Sequence, residues 1–311
     1  MVQTRIADSI LDARCDTPMV RLHKVVPKDS AEILAKIEFF GPSGSVKDRI
    51  AAFMIERAEE RGDLRPGYRI VEATTGNTGI AFALAGLVKG YPVTIVMPQG
   101  MSEERKKILR AYGAEVLFTS GSETDVDKCL EMVNRIRASD DKVWVPGQFT
   151  STDNVLAHEM TTGPEIVRQA GKNIDAFVAG VGSGGTLMGV ARHFMKEGIG
   201  ARIVAVEPEE CAILSGGRND RHRIEGIGDG FIPEIVDSDL IDDIETVRDS
   251  DAIAMARRLA GEEGVLCGIS SGANVVAALR SGRRLGKGGR IVTLIPDTGM
   301  RYFSTDLFKE E

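Results

Sequence analysis

Short apolar runs end repeatedly in glycine-bearing turns that open into helix-like patterns. This alternation constrains the fold more than any other feature of the chain. Arg69-Ile70-Val71-Glu72-Ala73 reads as a strand, Thr74-Thr75-Gly76-Asn77-Thr78-Gly79 as its turn, and Ile80 to Lys89 as the helix that follows. Pro92 to Met97 reads as a buried strand, which Pro98 and Gly100 break. Ser102-Glu103-Glu104 then opens a helix to Tyr112, with Ser102 expected as the cap and carboxylates in the favourable first turn. Glu115 to Phe118 is the next strand and Asp125 to Ala138 the next helix. Strands return at Ala176–Val181, Ile203–Val206 and Ile291–Ile295. Strands that are apolar throughout, alternating with amphipathic helices, predict parallel sheets covered on both faces. Glycine supplies 35 of the 311 residues, well above an average usage of ~7%, and several of these sit in the strand-to-helix turns.

A chain of 311 residues makes about two domains at ~100–200 residues each. Two α/β blocks are visible, at 45–149 and 150–300, with Trp144 to Gln148 as the crossing between them. A strand pair near the start, Met19–Leu22 and Ile33–Ile37, could join either block. The expected fold is α/β: two doubly wound domains with mostly parallel sheets and a ligand cleft between them. The smaller domain is expected at 45–149, with a mobile part at about 92–136, and the larger at 1–44 plus 150–311. Hydrophobic residues at 42% and charged residues at 27% exclude disorder, collagen and coiled coil. A net charge of −7, with no basic block, argues against nucleic acid or an anionic membrane as partner. No run reaches the ~20 apolar residues of a spanning helix, and Met1 to Arg5 lead into no apolar signal core, so the cytoplasm is the expected location. Cys15, Cys129, Cys211 and Cys267 are far apart and form neither a metal pair nor a disulfide framework.

Three motifs carry chemistry. Gly182-Ser183-Gly184-Gly185-Thr186 follows a strand and opens a helix over Leu187 to Lys196. Small residues let backbone amides turn inward as an anion nest, and the helix N-terminus adds its dipole, so a phosphate is the natural guest. The plainer reading is a tight turn that needs glycine for its dihedrals. Leu187 stands where the dinucleotide fingerprint needs a third glycine or alanine, and no Walker pattern exists. Gly41 to Arg49 places Lys47 at a helix start. There the helix dipole and burial both lower an amine's pKa, as an amine that forms a Schiff base requires. An exposed lysine is the plainer alternative. Gly268-Ile269-Ser270-Ser271-Gly272 matches the G-x-S-x-G elbow of serine hydrolases. That class needs a histidine downstream, and His23, His158, His193 and His222 all precede Ser270. His158-Glu159 lacks the second histidine of a zinc protease helix, so no metal site is expected. The histidines read as surface residues or as supports behind a site.

Taken together with Ser45 to Arg49, Thr74 to Gly79 and Glu225-Gly226-Ile227-Gly228-Asp229-Gly230-Phe231-Ile232-Pro233, these motifs resemble, in order, those of pyridoxal-phosphate-dependent cysteine synthases (O-acetylserine sulfhydrylases). The likeness runs from Thr17-Pro18 to Arg301-Tyr302-Phe303-Ser304-Thr305, nearly the whole chain. The same architecture serves cystathionine β-synthase, tryptophan synthase β-subunits and threonine synthase.

The resemblance implies pyridoxal 5'-phosphate in the cleft, carried by the amine of Lys47. Gly182, Ser183, Gly184, Gly185 and Thr186 would hold its phosphate, Asn77 its ring hydroxyl, and Ser270 would face its pyridine nitrogen. A neutral hydroxyl there does not force ring protonation, which suits direct β-elimination. Thr74, Thr75, Gly76, Thr78 and Gln148 would grip the substrate carboxylate. Lys47, as the catalytic base, removes the α-proton, the β-substituent leaves, and sulfide adds to an α-aminoacrylate, which predicts ping-pong kinetics. The implied product is L-cysteine from O-acetyl-L-serine. A short-form cystathionine β-synthase using homocysteine, or a phosphoserine-using sulfhydrylase, shares the first half-reaction. Phosphoserine users tend to carry an arginine near the 225–230 turn, where this chain has Glu225. Asp229 is the only charge from Gly226 to Phe231, with Arg221 and Arg223 close by in sequence. A homodimer is implied, and a cleft able to take the C-terminal tail of serine acetyltransferase. A binding scaffold without activity is the non-enzymatic alternative, against which the retained Lys47 argues.

Overall fold

A computed structural model describes residues 6–121 and 125–309. Met1 to Arg5, on which the expectation about a leader rests, lie outside the described residues, as do 122–124 of the segment expected to move and the final two residues of the larger domain. In chain order the elements are β1 (Met19–Arg21), β2 (Glu32–Ile37), α1 (Lys47–Arg61), β3 (Arg69–Ala73), α2 (Asn77–Lys89), β4 (Val93–Pro98), α3 (Glu103–Ala111), β5 (Glu115–Thr119), α4 (Val126–Ser139) and β6 (Val143–Trp144). They continue as α5 (Thr152–Met160), α6 (Thr162–Ala170), β7 (Ala176–Gly180), α7 (Gly185–Lys196), β8 (Arg202–Pro208), β9 (Asp243–Val247), α8 (Asp249–Glu263), α9 (Ile269–Leu285) and β10 (Arg290–Ile295).

These strands form two sheets, one of six strands in the order β1-β2-β10-β7-β8-β9 and one of four in the order β5-β4-β3-β6. The four-stranded sheet is parallel throughout. In the larger sheet only β1 runs antiparallel, pairing Met19 with Lys36 and Arg21 with Leu34. The expected α/β architecture with mostly parallel sheets is therefore present, and the early strand pair belongs to the larger sheet. Burial follows from the sequence pattern. All six residues of β4 are buried, and so is every residue of α2 from Thr78 to Gly86. A helix apolar on all sides has to be enclosed, and α2 packs in one core with α1, β3 and β4.

Helix starts differ from expectation by two or three residues. α2 begins at Asn77 rather than Ile80, and α7 at Gly185 rather than Leu187. Polar and glycine residues that read as loop form the first turns, because amides there need not pair within the helix. Ser102 stands at the N-cap of α3, but its side chain makes no cap bond; its hydroxyl accepts from Arg105 at 3.4 Å instead. β9 and α8 went unread in the sequence. β9 is half polar, Asp-Ile-Glu-Thr-Val, as suits a strand at the sheet's edge.

A buried ion network ties α1 to the elements of the larger sheet. Arg49 Nε donates to Glu38 at 2.7 Å, and both terminal nitrogens donate to Glu165 on α6 at 2.7 Å. Lys36 Nζ lies 2.8 Å from Glu165. This places Lys47, two residues before Arg49 on α1, at the junction of the two sheets.

Candidate active site

Strands β3, β7 and β10 end close together, and their turns enclose one cavity. Lys47, Thr74, Thr75, Asn77, Thr78, Gln148, Gly182, Ser183, Gly184, Gly185, Thr186 and Ser270 all line it. Of the residues expected in the site, Gly76 alone is absent from the lining. It lies beneath the Arg105 side chain, whose Cδ would be 2.2 Å from a Cβ at that position.

Lys47 is the first residue of α1. Burial pushes its amine below the ordinary lysine range, although the carboxylates of Asp229 and Glu72 pull it back up. Its Nζ donates to Ser183 Oγ at 3.4 Å, which links α1 to the glycine turn. Glu72, on β3, accepts from the backbone amides of Gly147 at 2.9 Å and Gln148 at 3.5 Å. Burial nevertheless pushes its carboxyl up to about 8, because these two bonds and Lys47 offset only part of the lost hydration.

The glycine turn presents the uncapped N-terminus of a helix to the cavity. Gly184 has φ +85°, in the left-handed region, and is the N-cap of α7, which no side chain caps. A Cβ would lie 2.4 Å from Gly226 O at Gly182, 2.4 Å from Val236 at Gly184, and 1.9 Å from Asn154 Oδ1 at Gly185. Close packing therefore demands glycine at all three. Asn154 Nδ2 donates to Ser183 Oγ at 3.0 Å and to Gln148 O at 2.8 Å, while its Oδ1 is buried without a bond. Behind the turn His158 is fully buried, between Thr162 Oγ1 at 2.8 Å and Thr186 Oγ1 at 3.1 Å. Burial holds this imidazole well below its usual pKa, so it is neutral and orients Thr186. Uncapped amides and hydroxyls at a helix N-terminus fit a phosphate monoester. Lys47 beside them fits an aldehyde.

On the opposite wall, Thr78 Oγ1 donates to Gln148 Oε1 at 2.7 Å, and Thr74 Oγ1 accepts from Gly76 N at 3.0 Å. Asn77 Nδ2 donates to Asp297 at 2.7 Å, and its Oδ1 accepts from Arg301. Ser270 is buried in the first turn of α9. No histidine lines the cavity, so the elbow-like sequence around Ser270 has no hydrolase partner.

The structure adds residues that the motifs did not mark. Glu72 was visible only as a charge inside an apolar strand. Arg105, which lines the cavity, and Asp297, which is buried behind Asn77, carried no signal, since each looks like an ordinary polar residue in sequence. Asp229, noted in sequence as a lone charge, is buried and faces Lys47. Arg223 is held by Asp249 and Asp306. Among the described residues no group of three or more His, Cys, Asp or Glu could hold a metal ion, and no helix is long and apolar enough to cross a membrane.

Known proteins similar to this chain in sequence and fold are numerous. The model of the family described as pyridoxal-phosphate dependent enzyme matches residues 10–297. A cysteine synthase of Staphylococcus aureus is 45% identical over 302 residues, which cover 97% of each chain. The crystal structure of a cysteine synthase from Entamoeba histolytica superposes with a TM-score of 0.93 at 41% identity, covering 99% of this chain and 93% of that one. An O-acetylserine dependent cystathionine β-synthase from Helicobacter pylori superposes with a TM-score of 0.92 at 38% identity, covering 98% of this chain and all of that one.

Proposed function

The chain belongs to the pyridoxal-phosphate dependent enzymes, in their cysteine synthase branch, which forms L-cysteine from O-acetyl-L-serine and sulfide by β-replacement; from that premise we propose the part each residue plays. The observation that carries the proposal is the enclosed amine of Lys47, depressed by burial and within reach of Ser183 across the cavity. Lys47 holds pyridoxal 5'-phosphate, and Gly182, Ser183, Gly184, Gly185 and Thr186 receive its phosphate, with Thr186 oriented by His158. Asn77, as the partner of the ring hydroxyl, and Ser270, as the partner of the pyridine nitrogen, would hold the ring. When bound, the cofactor supplies an electron sink for the carbanion at the substrate's α-carbon.

The chain's own residues do the rest. Thr74, Thr75, Gly76, Thr78 and Gln148 form the pocket for the substrate carboxylate, with Gln148 steadied by Thr78. The amine of Lys47 takes the proton from the α-carbon, for which a pKa brought towards neutrality is required. Asp229, beside it, keeps a carboxylate facing that amine. Two domains, 45–149 and 1–44 with 150–311, are a division supported by the presence of two sheets, one of four strands and one of six. A homodimer is supported by large exposed aromatic side chains such as Phe40 and Phe303. A reducing, cytoplasmic setting is supported by Cys15, Cys129, Cys211 and Cys267, all free thiols. A pocket built for a carboxylate supports binding of a C-terminal tail such as that of serine acetyltransferase.

Addition of O-acetylserine and sulfide to the yellow holoenzyme, with cysteine measured as product, tests the reading. Borohydride reduction and peptide mapping should label Lys47 alone; a label on another lysine overturns the site assignment. Homocysteine as nucleophile is the second reading, favoured by the likeness to the Helicobacter pylori enzyme. At saturating O-acetylserine, sulfide should turn over faster, because Asp229 repels a second carboxylate and Arg223 is already engaged.

A further inference from the structure

Helices α5 and α7 meet at two glycines. A Cβ at Gly189 would lie 2.5 Å from Val155 O, and one at Gly185 would lie 1.9 Å from Asn154 Oδ1. Asn154 and His158 stand one helical turn apart on α5 and so share one of its faces. That face carries both to the turn that opens α7: His158 to Thr186, and Asn154, which is wholly buried, to Ser183. The bonds of Asn154 fix which way its amide points. A backbone carbonyl only accepts, so the atom facing Gln148 O at 2.8 Å is the nitrogen. The same nitrogen spends its second hydrogen on Ser183 Oγ at 3.0 Å. Ser183 is therefore an acceptor on the side of α5. Lys47 Nζ donates to the same oxygen at 3.4 Å. With both lone pairs engaged, the hydroxyl hydrogen is the valence left over, and it points away from Asn154, into the cavity that Ser183 lines.

We propose that Asn154 is a positioning residue for the cofactor's phosphate. By holding Ser183 Oγ as an acceptor, it turns the Ser183 hydrogen towards the anion and makes that hydroxyl a committed donor. Hydrogen bonds to an ionised acceptor are the strong ones, so the direction of this hydrogen matters most towards a phosphate. Removing Asn154 frees the hydroxyl to rotate and weakens its bond to the anion. The same amide holds Gln148 O, so one side chain sets both the phosphate turn and the wall that carries Gln148. The inference rests on the reading of this cleft as a site for pyridoxal 5'-phosphate.

The experiment titrates the full apo chain with pyridoxal 5'-phosphate and with pyridoxal, which lacks the phosphate, and reads the ratio of the two dissociation constants. Asn154→Ala and Ser183→Ala should each lower the preference for the phosphorylated form by about tenfold, the worth of one hydrogen bond to a charged group. The double variant should lose no more than either alone, because Asn154 acts through Ser183. Lost packing by itself would weaken both ligands alike and leave the ratio unchanged. Neutron diffraction from the deuterated wild-type holoenzyme checks the same point without a substitution, and decides it if Asn154→Ala does not fold. The Ser183 deuteron should lie towards the phosphate, with the amide deuterons of Asn154 directed at Ser183 and Gln148. An unchanged ratio in Asn154→Ala, losses that add in the double variant, or a Ser183 deuteron directed at Asn154 overturns the proposal. Wild-type apo protein that binds pyridoxal 5'-phosphate no more tightly than pyridoxal overturns the underlying reading instead.

Discussion

Glu72 and Lys47 show what burial does to single residues. Each is pushed towards its neutral form, the carboxyl to about 8 and the amine below its usual range. Lys47→Ala should lower cysteine formation by about 10³-fold or more, since the base at the α-carbon is gone; steady-state assay of the variant checks this. The pH dependence of stability separates the pair. An unfolded glutamate releases its proton near 4.5, whereas the folded chain holds that of Glu72 to about 8. Between these values the native state binds the extra proton, so stability falls as pH rises through the window. The depressed Lys47 works in the opposite direction at more alkaline pH, because there the unfolded chain binds the extra proton. Comparing wild type with Glu72→Gln in the apo form isolates the carboxyl. The amide keeps one oxygen to accept from Gly147, loses the longer bond from Gln148, and has no proton to lose. The melting temperature of the variant relative to wild type should rise between pH 5 and 9. A flat difference would show that Glu72 is ionised throughout.

At the scale of the element, the N-terminus of α7 was the most legible part of the site. Three glycines in four residues after an apolar strand marked the turn, and the structure gives each glycine a neighbour that excludes a Cβ. The same contacts change what a mutation there reports. Gly184→Leu, which the sequence alone suggests as a probe of phosphate binding, would meet Val236 at 2.4 Å and strain a φ of +85°, so it should cost folding as well as affinity. Thr186→Val is the cleaner probe. It removes the hydroxyl beside His158 Nε2 and adds no bulk. Cofactor affinity, titrated by fluorescence or absorbance, should weaken by about tenfold, the worth of one hydrogen bond to a charged group, and the apo melting temperature, lowered by the buried His158 nitrogen left without its partner, separates the stability loss from the affinity loss. Strands of the parallel sheets were equally legible, because burial on both faces leaves an unbroken apolar run. β9 was not, since an edge strand keeps polar residues. Helix starts were misplaced where glycine and threonine form a first turn, and Arg105 was invisible because an amphipathic helix does not reveal which of its charges turns inward. His158, read as a surface or supporting residue, is buried behind the nest.

The whole molecule depends on how its two sheets are joined. The movement expected of about 92–136 is towards the cleft when Thr74, Thr75, Gly76 and Asn77 bind a carboxylate, so crystals with and without a bound amino acid should differ in the position of α3 relative to the larger sheet. The opposite side of the junction is fastened by Arg49, Glu38, Glu165 and Lys36, all nearly inaccessible. Burial alone would raise the carboxyl of Glu165, but the guanidinium of Arg49 and the amine of Lys36 overcome it and hold the group at about 2. Unfolded, it would titrate near 4.5. A depressed carboxyl contributes stability that is fully present above its unfolded pKa and is lost as pH falls through the folded one. Acid should therefore loosen the junction between about pH 4.5 and 2. Glu165→Gln leaves two buried cations short of a partner and should cost about 3–5 kcal/mol at pH 7, measured by urea unfolding. The gap between variant and wild type should then narrow as the pH is lowered through that window, because the wild type approaches the protonated state that the amide imitates. A gap that stays constant down to pH 3 would mean that the Glu165 charge is not what fastens α1 to the larger sheet.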